Sequence, residues 1–347
     1  MRIEPGRVAV VTGGASGIGY ALATAAASRC LRVVLSDVRA DALDAAADRL
    51  RESGAVVTTV VADVSRPADI DRLAQTAFAL GSVQLVCSNA GIVVIGRAWE
   101  LTAADWDRVM SINFMATVHL VRAFIPRLIE AGQSAQLLVT GSMASVTARP
   151  QIGPYVAAKH ALLGLCESLN HELADAGTGV GVTLLLPGKV ATGMSREDYP
   201  DAITPDEAAR IAFDAVAHRR PLVFTHADRI PEVERRFAAI VAGGRGWLHP
   251  ALRSATHGDV HLHPARHHVR AANHGRLGPL QRAGVPQRQP CRSGSRSCLA
   301  TAQDVNVGSA GCGLATRPLG SSQSSCRPSA VRSGSAYAPI VRSDPQA

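Results

Sequence analysis

The sequence predicts an α/β fold built on a doubly wound parallel sheet of about seven strands. Three observations lead to this prediction. Short runs of consecutive apolar residues alternate with longer segments of helical period over residues 1–244. Continuous apolar strands are typical of a parallel sheet whose two faces are both covered by helices. The first strand also leads into a glycine-rich turn and an alanine-rich helix, which begins a strand–helix–strand unit.

Seven segments have the composition of buried strands, with predicted bounds 8–12, 32–36, 56–62, 83–88, 136–140, 181–186 and 221–225. Seven others have a helical period, with predicted bounds 20–28, 40–50, 67–80, 102–129, 154–174, 204–218 and 231–242. Parallel neighbours in one sheet need right-handed crossovers, which these helices supply. Polar residues that follow the strands should therefore collect at the carboxyl edge of the sheet.

Composition divides the chain near residue 244. Residues 1–244 contain 23 Lys and Arg against 25 Asp and Glu, whereas residues 245–347 contain 13 Arg and 3 Asp and lack Lys and Glu. The formal charge of +8 therefore belongs to the second segment. We expect residues 1–244 to form one α/β domain. Residues 245–347 are a low-complexity tail with too few large apolar side chains to build a core, which predicts disorder.

The tail has other interpretations. Arginine-rich segments can bind nucleic-acid phosphates, but Trp247 and Tyr337 are its only aromatic residues. Its histidines and cysteines could bind a metal, yet no pair of them has C-x-x-C or H-x-x-x-H zinc-site spacing within a supporting pattern. Its composition also suits translation of a GC-rich gene in a shifted reading frame. We expect no specific nucleic-acid partner and no metal.

Two features favour a cytoplasmic protein without a membrane partner. No apolar run reaches the roughly 18–20 residues of a membrane span, and the N-terminus enters a strand pattern without a secretory segment. Cys30, Cys87 and Cys166 stand in apolar contexts without C-x-x-C spacing, which indicates reduced thiols.

The turn T-G-G-A-S-G-I-G places Gly13, Gly17 and Gly19 between the first strand and its helix. Glycines there permit a tight turn and the close approach of a pyrophosphate to the helix N-terminus. A strand-to-helix turn often contains glycine for its own geometry, and the spacing is G-x-x-x-G-x-G rather than G-x-G-x-x-G. The position in the chain nevertheless favours nucleotide binding.

Asp37 ends the second strand about twenty residues beyond the glycines. A carboxylate at this place can bind a ribose 2′-hydroxyl and repels a 2′-phosphate, which predicts NAD rather than NADP. Asp37 could instead cap the following helix, and both roles are compatible. Arg39 is close enough to weaken the discrimination.

Tyr155 and Lys159 are four residues apart and share one face of a predicted helix. A phenol is a poor base near neutrality, but a neighbouring ammonium favours the phenolate and should lower the pKa of Tyr155. Tyr155 could then exchange a proton with a substrate oxygen that the Ser142 hydroxyl holds. An ordinary helix face is the alternative, since Y-x-x-x-K is common.

Taken together, these motifs resemble the short-chain dehydrogenase/reductase superfamily, of the compact single-domain type with a Rossmann fold. The matches are T-G-G-A-S-G-I-G at 12–19, Asp37, Asp63-Val64, N-A-G at 89–91, Asn113, Ser142, Y-V-A-A-K at 155–159 and P-G-K-V-A-T at 187–192. One departure is visible, because Ser88 stands where the family often has an Asn. No catalytic position of the family is missing.

The resemblance implies roles around a dinucleotide. The residues implied to bind the diphosphate are Gly13, Ser16, Gly17, Ile18 and Gly19. Those implied around the rest of the cofactor are Asp37 at the adenosine ribose, Asp63 and Val64 at the adenine, Asn89 beside the cofactor, Tyr155 and Lys159 at the nicotinamide ribose, and Val190 and Thr192 at the carboxamide.

The resemblance also implies an NAD-dependent oxidoreductase that moves a hydride between nicotinamide and a secondary alcohol or ketone. Its catalytic residues would be Tyr155, Ser142, Lys159 and Asn113, with Asn113 holding a water in a proton relay. Segments 144–153 and 193–203 would select a small substrate. The patterns R-P-L-V-F-T-H at 220–226 and P-E-V-E-R-R-F at 231–237 resemble relatives that oxidise secondary alcohols on aryl or alicyclic compounds. Partners would be that substrate and identical subunits in a homodimer or homotetramer. A nucleotide-sensing protein without chemistry is the alternative.

Overall fold

The computed structural model describes residues 1–193 and 201–246. Its strands are β1 (Val8–Thr12), β2 (Arg32–Asp37), β3 (Val57–Val61), β4 (Val83–Ser88), β5 (Ala135–Thr140), β6 (Val180–Leu186) and β7 (Leu222–Phe224). They form one parallel sheet in the order β3-β2-β1-β4-β5-β6-β7. The order reverses between β1 and β4, which leaves a crevice at the carboxyl ends of the strands.

The helices are α1 (Gly17–Ala27), α2 (Ala40–Glu52), α3 (Pro67–Leu80), α4 (Ala103–Met110), α5 (Ala116–Glu130), α6 (Gly153–Asp175), α7 (Pro205–Ala217) and α8 (Ile230–Gly246). The predicted doubly wound sheet is confirmed. Most bounds move by one or two residues. Helix α1 begins three residues early because its first turn is part of the glycine-rich segment itself. The tail prediction concerns residues outside the described part of the chain, apart from the end of α8.

The sheet separates two apolar cores. Alternate residues of β1 point to opposite faces, so Val10 packs into one core and Val11 into the other. Helices α3, α5 and α6 cover the first face, where Phe124 is fully buried. Helices α1, α2 and α7 cover the second, where Phe213 is fully buried. Burial on both faces explains why the strands are continuous apolar runs.

The predicted helix over 102–129 is interrupted. A capping box between Thr102 and Asp105 begins α4, and a π-helical turn over Ser111–Met115 separates α4 from α5. An 18-residue window within Ala103–Glu130 has a mean hydropathy of 1.3, so this stretch is long and apolar enough to cross a membrane by length and composition, which the sequence pattern did not indicate. In this fold its residues Leu120 and Phe124 are buried against the sheet and the neighbouring helices.

Candidate active site

A cavity of about 630 Å³ lies at the carboxyl ends of the strands. Every predicted site residue except Gly19 lines it: Gly13, Ser16, Gly17, Ile18, Asp37, Asp63, Val64, Asn89, Asn113, Ser142, Tyr155, Lys159, Val190 and Thr192. These residues come from eight separated segments of the chain. The fold therefore brings together what the sequence motifs placed apart, while the role of each residue stays a prediction.

Glycines shape the floor of the cavity below α1. Gly13 has a φ of +63°, and a Cβ there would lie 2.8 Å from the Cα of Ala90. Gly17 has a φ of +55°. Ser16 precedes α1 in extended conformation and makes no side-chain cap, so the first amides of the helix are open to an anion. The turn thus fits a cofactor diphosphate.

Gly19 is the one predicted site residue that does not line the cavity. It lies behind the cavity wall, where a Cβ would be 2.1 Å from the carbonyl oxygen of Gly13 and 2.5 Å from Nδ2 of Asn89. Its missing side chain lets α1 pack directly against the turn. Gly19 therefore supports the turn by close packing, and its role at the diphosphate stays a prediction.

Asp37 is buried at the end of β2 and has three hydrogen bonds. Its Oδ2 accepts from the amide of Ala15 at 3.2 Å, and its Oδ1 accepts from the amide of Arg39 at 3.1 Å and from Nε of Arg39 at 3.4 Å. Arg39 also donates through Nη2 to Oγ of Ser16 at 3.3 Å. Arg39 occupies the N-cap position of α2, so the alternative in which Asp37 caps this helix is wrong.

Asp63 and Val64 follow β3 at the far end of the cavity. Oδ1 of Asp63 accepts from the amide of Ser65 at 3.0 Å and from its hydroxyl at 2.7 Å. The amide of Asp63 donates to Oδ2 of Asp69 at 3.0 Å. Val64 is buried beside them. These bonds fix the turn that brings Asp63 and Val64 to the cavity.

Asn89 connects three strands at the base of the cavity. Its amide donates to Oγ1 of Thr12 at 3.0 Å, and its Nδ2 donates to the carbonyl of Thr12 at 3.1 Å. Its Oδ1 accepts from the hydroxyl of Thr140 at 3.0 Å. Thr12 and Thr140 were missed by the sequence reasoning, although both end a strand at the carboxyl edge. Their position after an apolar run was the available signal.

Tyr155 and Lys159 lie on α6, and Ser142 faces them from the segment after β5. The ammonium of Lys159 is 5.5 Å from the centre of the Tyr155 ring. It donates to the carbonyl of Thr140 at 2.8 Å and is buried. Oγ of Ser142 accepts from the amide of Ala144 at 3.1 Å. The three functional groups converge on one side of the cavity.

The predicted lowering of the pKa of Tyr155 is wrong in this structure. Burial raises the pKa of this phenol above its ordinary value, and a hydrogen bond with the Ser142 side chain acts more weakly in the opposite direction. The phenol is therefore protonated at neutral pH. A protonated phenol can donate to a carbonyl oxygen, as the reduction of a ketone requires.

Lys159 should make the free energy of unfolding depend on pH in the alkaline range. Burial lowers the pKa of its ammonium to about 8. Between pH 8 and 10 the unfolded chain holds a proton that the folded chain has released, so the free energy of unfolding rises with pH. We expect Lys159→Met to remove a rise on the order of 2 kcal/mol across this window, measured by urea unfolding.

Lys189→Met is the matched control, because that lysine pairs with Asp201 at 2.8 Å outside the apolar interior. It should keep the wild-type rise. Equal pH slopes for the wild type and Lys159→Met would show that the ammonium of Lys159 is not desolvated as the structure indicates.

Asn113 is buried in the π-helical turn and braces the loop after β4. Its Nδ2 donates to the carbonyls of Ile92 at 2.9 Å and Val109 at 3.0 Å, and its Oδ1 accepts from the amide of Ile92 at 3.2 Å. Both amide protons are therefore used by the backbone. A place in a water relay stays a prediction, and the hydrogen bonds show that the side chain joins the helix backbone at Val109 to the loop at Ile92.

Ser88, the departure from the family pattern, is buried at the end of β4. Its hydroxyl lies 2.8 Å from that of Thr117 on α5. The residue thus joins the sheet to the helix that follows the π-helical turn. A shorter side chain at this position is compatible with the site because Asn89 alone supplies the bonds to β1 and β5.

Two apolar residues that the sequence reasoning missed, Ile92 and Ile112, also line the cavity. On the opposite side, Val190 is buried and pairs with Ile203 through a short bridge. Of the predicted substrate segments, 144–153 is described, whereas residues 194–200 of the other lie outside the described part of the chain.

Comparison with known proteins agrees with this geometry. The model of the short chain dehydrogenase family matches residues 7–202. The 1-deoxy-11-beta-hydroxypentalenate dehydrogenase of Streptomyces avermitilis is 40% identical over 238 residues, which are 66% of this chain and 87% of that protein. The D-beta-hydroxybutyrate dehydrogenase of Rhizobium meliloti is 30% identical over 198 residues, which are 56% of this chain and 76% of that protein.

Solved structures show the same relationship. A short-chain dehydrogenase/reductase from Burkholderia phymatum in complex with NAD has 34% identity and a TM-score of 0.67, covering 70% of this chain and 97% of that one. A structure from Beutenbergia cavernae with bound NADP at low occupancy has 29% identity and a TM-score of 0.58, covering 64% of this chain and 95% of that one.

Proposed function

Because this chain belongs to the short-chain dehydrogenase family, we propose that it interconverts a secondary alcohol and a ketone of a small molecule, with NAD as its preferred cofactor. The observation that carries the proposal is the convergence of Tyr155, Lys159 and Ser142 on one cavity whose floor is shaped for a diphosphate. The bound nicotinamide would accept or supply the hydride. The chain itself supplies binding, orientation and the proton.

Each catalytic group has a separate task. The hydroxyl of Ser142 donates to the substrate oxygen and fixes its direction. The phenol of Tyr155 gives its proton to that oxygen during reduction and becomes a phenolate, and in oxidation the phenolate takes the proton of the alcohol. The ammonium of Lys159, held by the carbonyl of Thr140, places a positive charge near the developing phenolate.

A screen of secondary alcohols with NAD, followed by the absorbance of the reduced cofactor, tests the proposal. Turnover of at least one alcohol that follows saturation kinetics is expected. Tight NAD binding without turnover of any alcohol or ketone would instead favour a nucleotide-sensing protein. Intact Ser142, Tyr155 and Lys159 argue against that second function, because a sensor has no need of them.

We further infer that the substrate has an apolar, alicyclic or aryl body. Ile92 and Ile112 line the same cavity as Tyr155 and offer aliphatic surface. The Streptomyces avermitilis relative is named for a hydroxypentalenate, and the Rhizobium meliloti relative for a short linear hydroxy acid. The screen should include both types, and higher kcat/KM for alicyclic alcohols is the expected result.

Asp37 should set the cofactor preference. The Asp37 carboxylate would repel a neighbouring 2′-phosphate in a partly buried site. For two like charges about 4 Å apart, this repulsion is about 4 kcal/mol at an effective dielectric constant of 20. Removing the carboxylate also releases the guanidinium of Arg39 from its 3.4 Å contact. We expect Asp37→Ala to lower the ratio of kcat/KM for NAD to that for NADP by about a hundredfold, measured by steady-state kinetics.

Asp41→Ala is the matched control, because Asp41 is exposed in the first turn of α2. It should leave the ratio unchanged. Equal catalytic efficiency with both cofactors in the wild type would show that Arg39 compensates for the carboxylate.

We also propose that the protein works as a cytoplasmic homodimer or homotetramer. The apolar stretch over α4 and α5 supports this, since Met115 and Ile129 are 37% and 41% exposed in the single chain. A second copy would cover them. Sedimentation velocity would test the assembly, and a monomer at micromolar concentration would contradict it.

A further inference from the structure

The segment that carries Ser142 has a defined set of backbone anchors. Two of its amides are held by the end of β6. The amide of Gly141 donates to the carbonyl of Leu185 at 2.8 Å, and the amide of Met143 donates to the carbonyl of Pro187 at 2.9 Å. The ammonium of Lys159 holds the carbonyl of Thr140 directly before it. The end of β6 and helix α6 therefore position the approach to Ser142.

The other side of the segment is held from α8. Nη1 of Arg236 donates to the carbonyl of Val146 at 2.9 Å, across 90 positions of sequence. Arg236 is partly buried, and Val146 is buried in the apolar core. Because its donor is a guanidinium, this is a charge-assisted hydrogen bond.

Val146 is connected rigidly to Ser142. The amides of Val146 and Thr147 and the hydroxyl of Thr147 all donate to the carbonyl of Met143, at 3.0, 2.9 and 2.8 Å. The hydroxyl of Ser142 in turn accepts from the amide of Ala144. A displacement of the Val146 carbonyl would therefore be transmitted through one short turn to the hydroxyl of Ser142.

Helix α8 also meets the body elsewhere among its described side chains. Val233 packs against the core, whereas Phe237, Ile240 and Val241 are about half exposed. Arg229, directly before the helix, lies 3.8 Å from Asp201 of the body and 3.6 Å from Glu232 on the helix. The hydrogen bond from Arg236 to Val146 is thus a specific link between α8 and the segment that carries Ser142.

We propose that Arg236 is a positioning residue for Ser142, which it holds through the carbonyl of Val146. This inference rests on the proposed function, because Ser142 matters only where a substrate oxygen is bound. Arg236 contributes no atom to the cavity, so its effect should fall on the reaction of the substrate and leave cofactor binding unchanged.

The test compares Arg236→Met, which removes every donor, with Arg236→Lys, which keeps a charged donor, and with Arg235→Met. Arg235 is the adjacent, exposed arginine of the same helix and is the matched control for loss of charge. Hydrogen–deuterium exchange of residues 142–147, steady-state kinetics with an active alcohol and NADH affinity by fluorescence are measured on each full-length variant.

We expect Arg236→Met to lower kcat/KM about tenfold or more, chiefly through kcat, and to speed exchange in 142–147. NADH affinity should be unchanged, Arg236→Lys should recover most of the activity, and Arg235→Met should match the wild type. Equal exchange and equal kcat/KM in Arg236→Met and Arg235→Met would overturn the proposal. So would a parallel loss of NADH affinity and activity that Arg236→Lys does not restore, since that is a general loss of folding.

If the wild type oxidised no alcohol, the proposed function would fail while the exchange measurement would still decide whether Arg236 holds the segment. Faster exchange confined to 142–147 in Arg236→Met supports the positioning role by itself. Unchanged exchange there sinks it, whatever the enzyme turns over.

Discussion

Replacing Tyr155 by Phe is expected to lower kcat by about a thousandfold while NADH affinity stays within a few-fold of the wild type. The substitution removes the phenolic hydroxyl, which is the proton donor to the substrate oxygen, and keeps the ring. General acid–base catalysis by one positioned group contributes roughly 10²- to 10⁴-fold. Steady-state kinetics give kcat, and fluorescence titration gives the dissociation constant for NADH.

Tyr20→Phe provides the control. Tyr20 lies on α1 with the guanidinium of Arg49 at 4.8 Å over its ring, a contact that phenylalanine keeps. The activity of the Tyr20→Phe variant should equal that of the wild type. Turnover in Tyr155→Phe comparable to that in Tyr20→Phe would remove Tyr155 from the catalytic assignment and with it the proposed use of Ser142.

Much of the fold could be predicted because its strands are buried on both faces. A continuous run such as Val8–Thr12 is a strong local signal, and it remains so in the folded protein. Helix ends were less predictable because they depend on tertiary contacts. The π-helical turn at Ser111–Met115 is an example, since Asn113 bonds to the distant backbone of Ile92 there.

The candidate site was predictable as a set of residues, but their electrostatics were not. Spacing places Tyr155 and Lys159 on one face of a helix, yet it says nothing about how deeply they are buried. In the structure burial raises the pKa of Tyr155 and lowers that of Lys159. The contact of Arg236 with Val146 was equally out of reach, because no local pattern joins residues 90 positions apart.

Gly19→Ala is expected to abolish measurable NADH binding at micromolar concentration and to lower the free energy of unfolding by about 2–3 kcal/mol. The added Cβ would meet the carbonyl oxygen of Gly13 at 2.1 Å and Nδ2 of Asn89 at 2.5 Å. Neither atom can shift at a small cost in free energy. The oxygen of Gly13 is part of the backbone, and the Asn89 side chain is hydrogen-bonded to Thr12 and Thr140. The turn beneath the diphosphate would therefore be displaced.

Gly243→Ala separates this effect from the general cost of changing a helical glycine. Gly243 lies in α8 with open space where its Cβ would be, so alanine there should leave NADH affinity unchanged. By helix propensity it should raise stability slightly, by up to about 1 kcal/mol. Fluorescence titration and urea unfolding of both variants give the comparison. Wild-type NADH affinity in Gly19→Ala would mean that the turn can yield, and that the close packing of α1 on Gly13 does not determine the cofactor site.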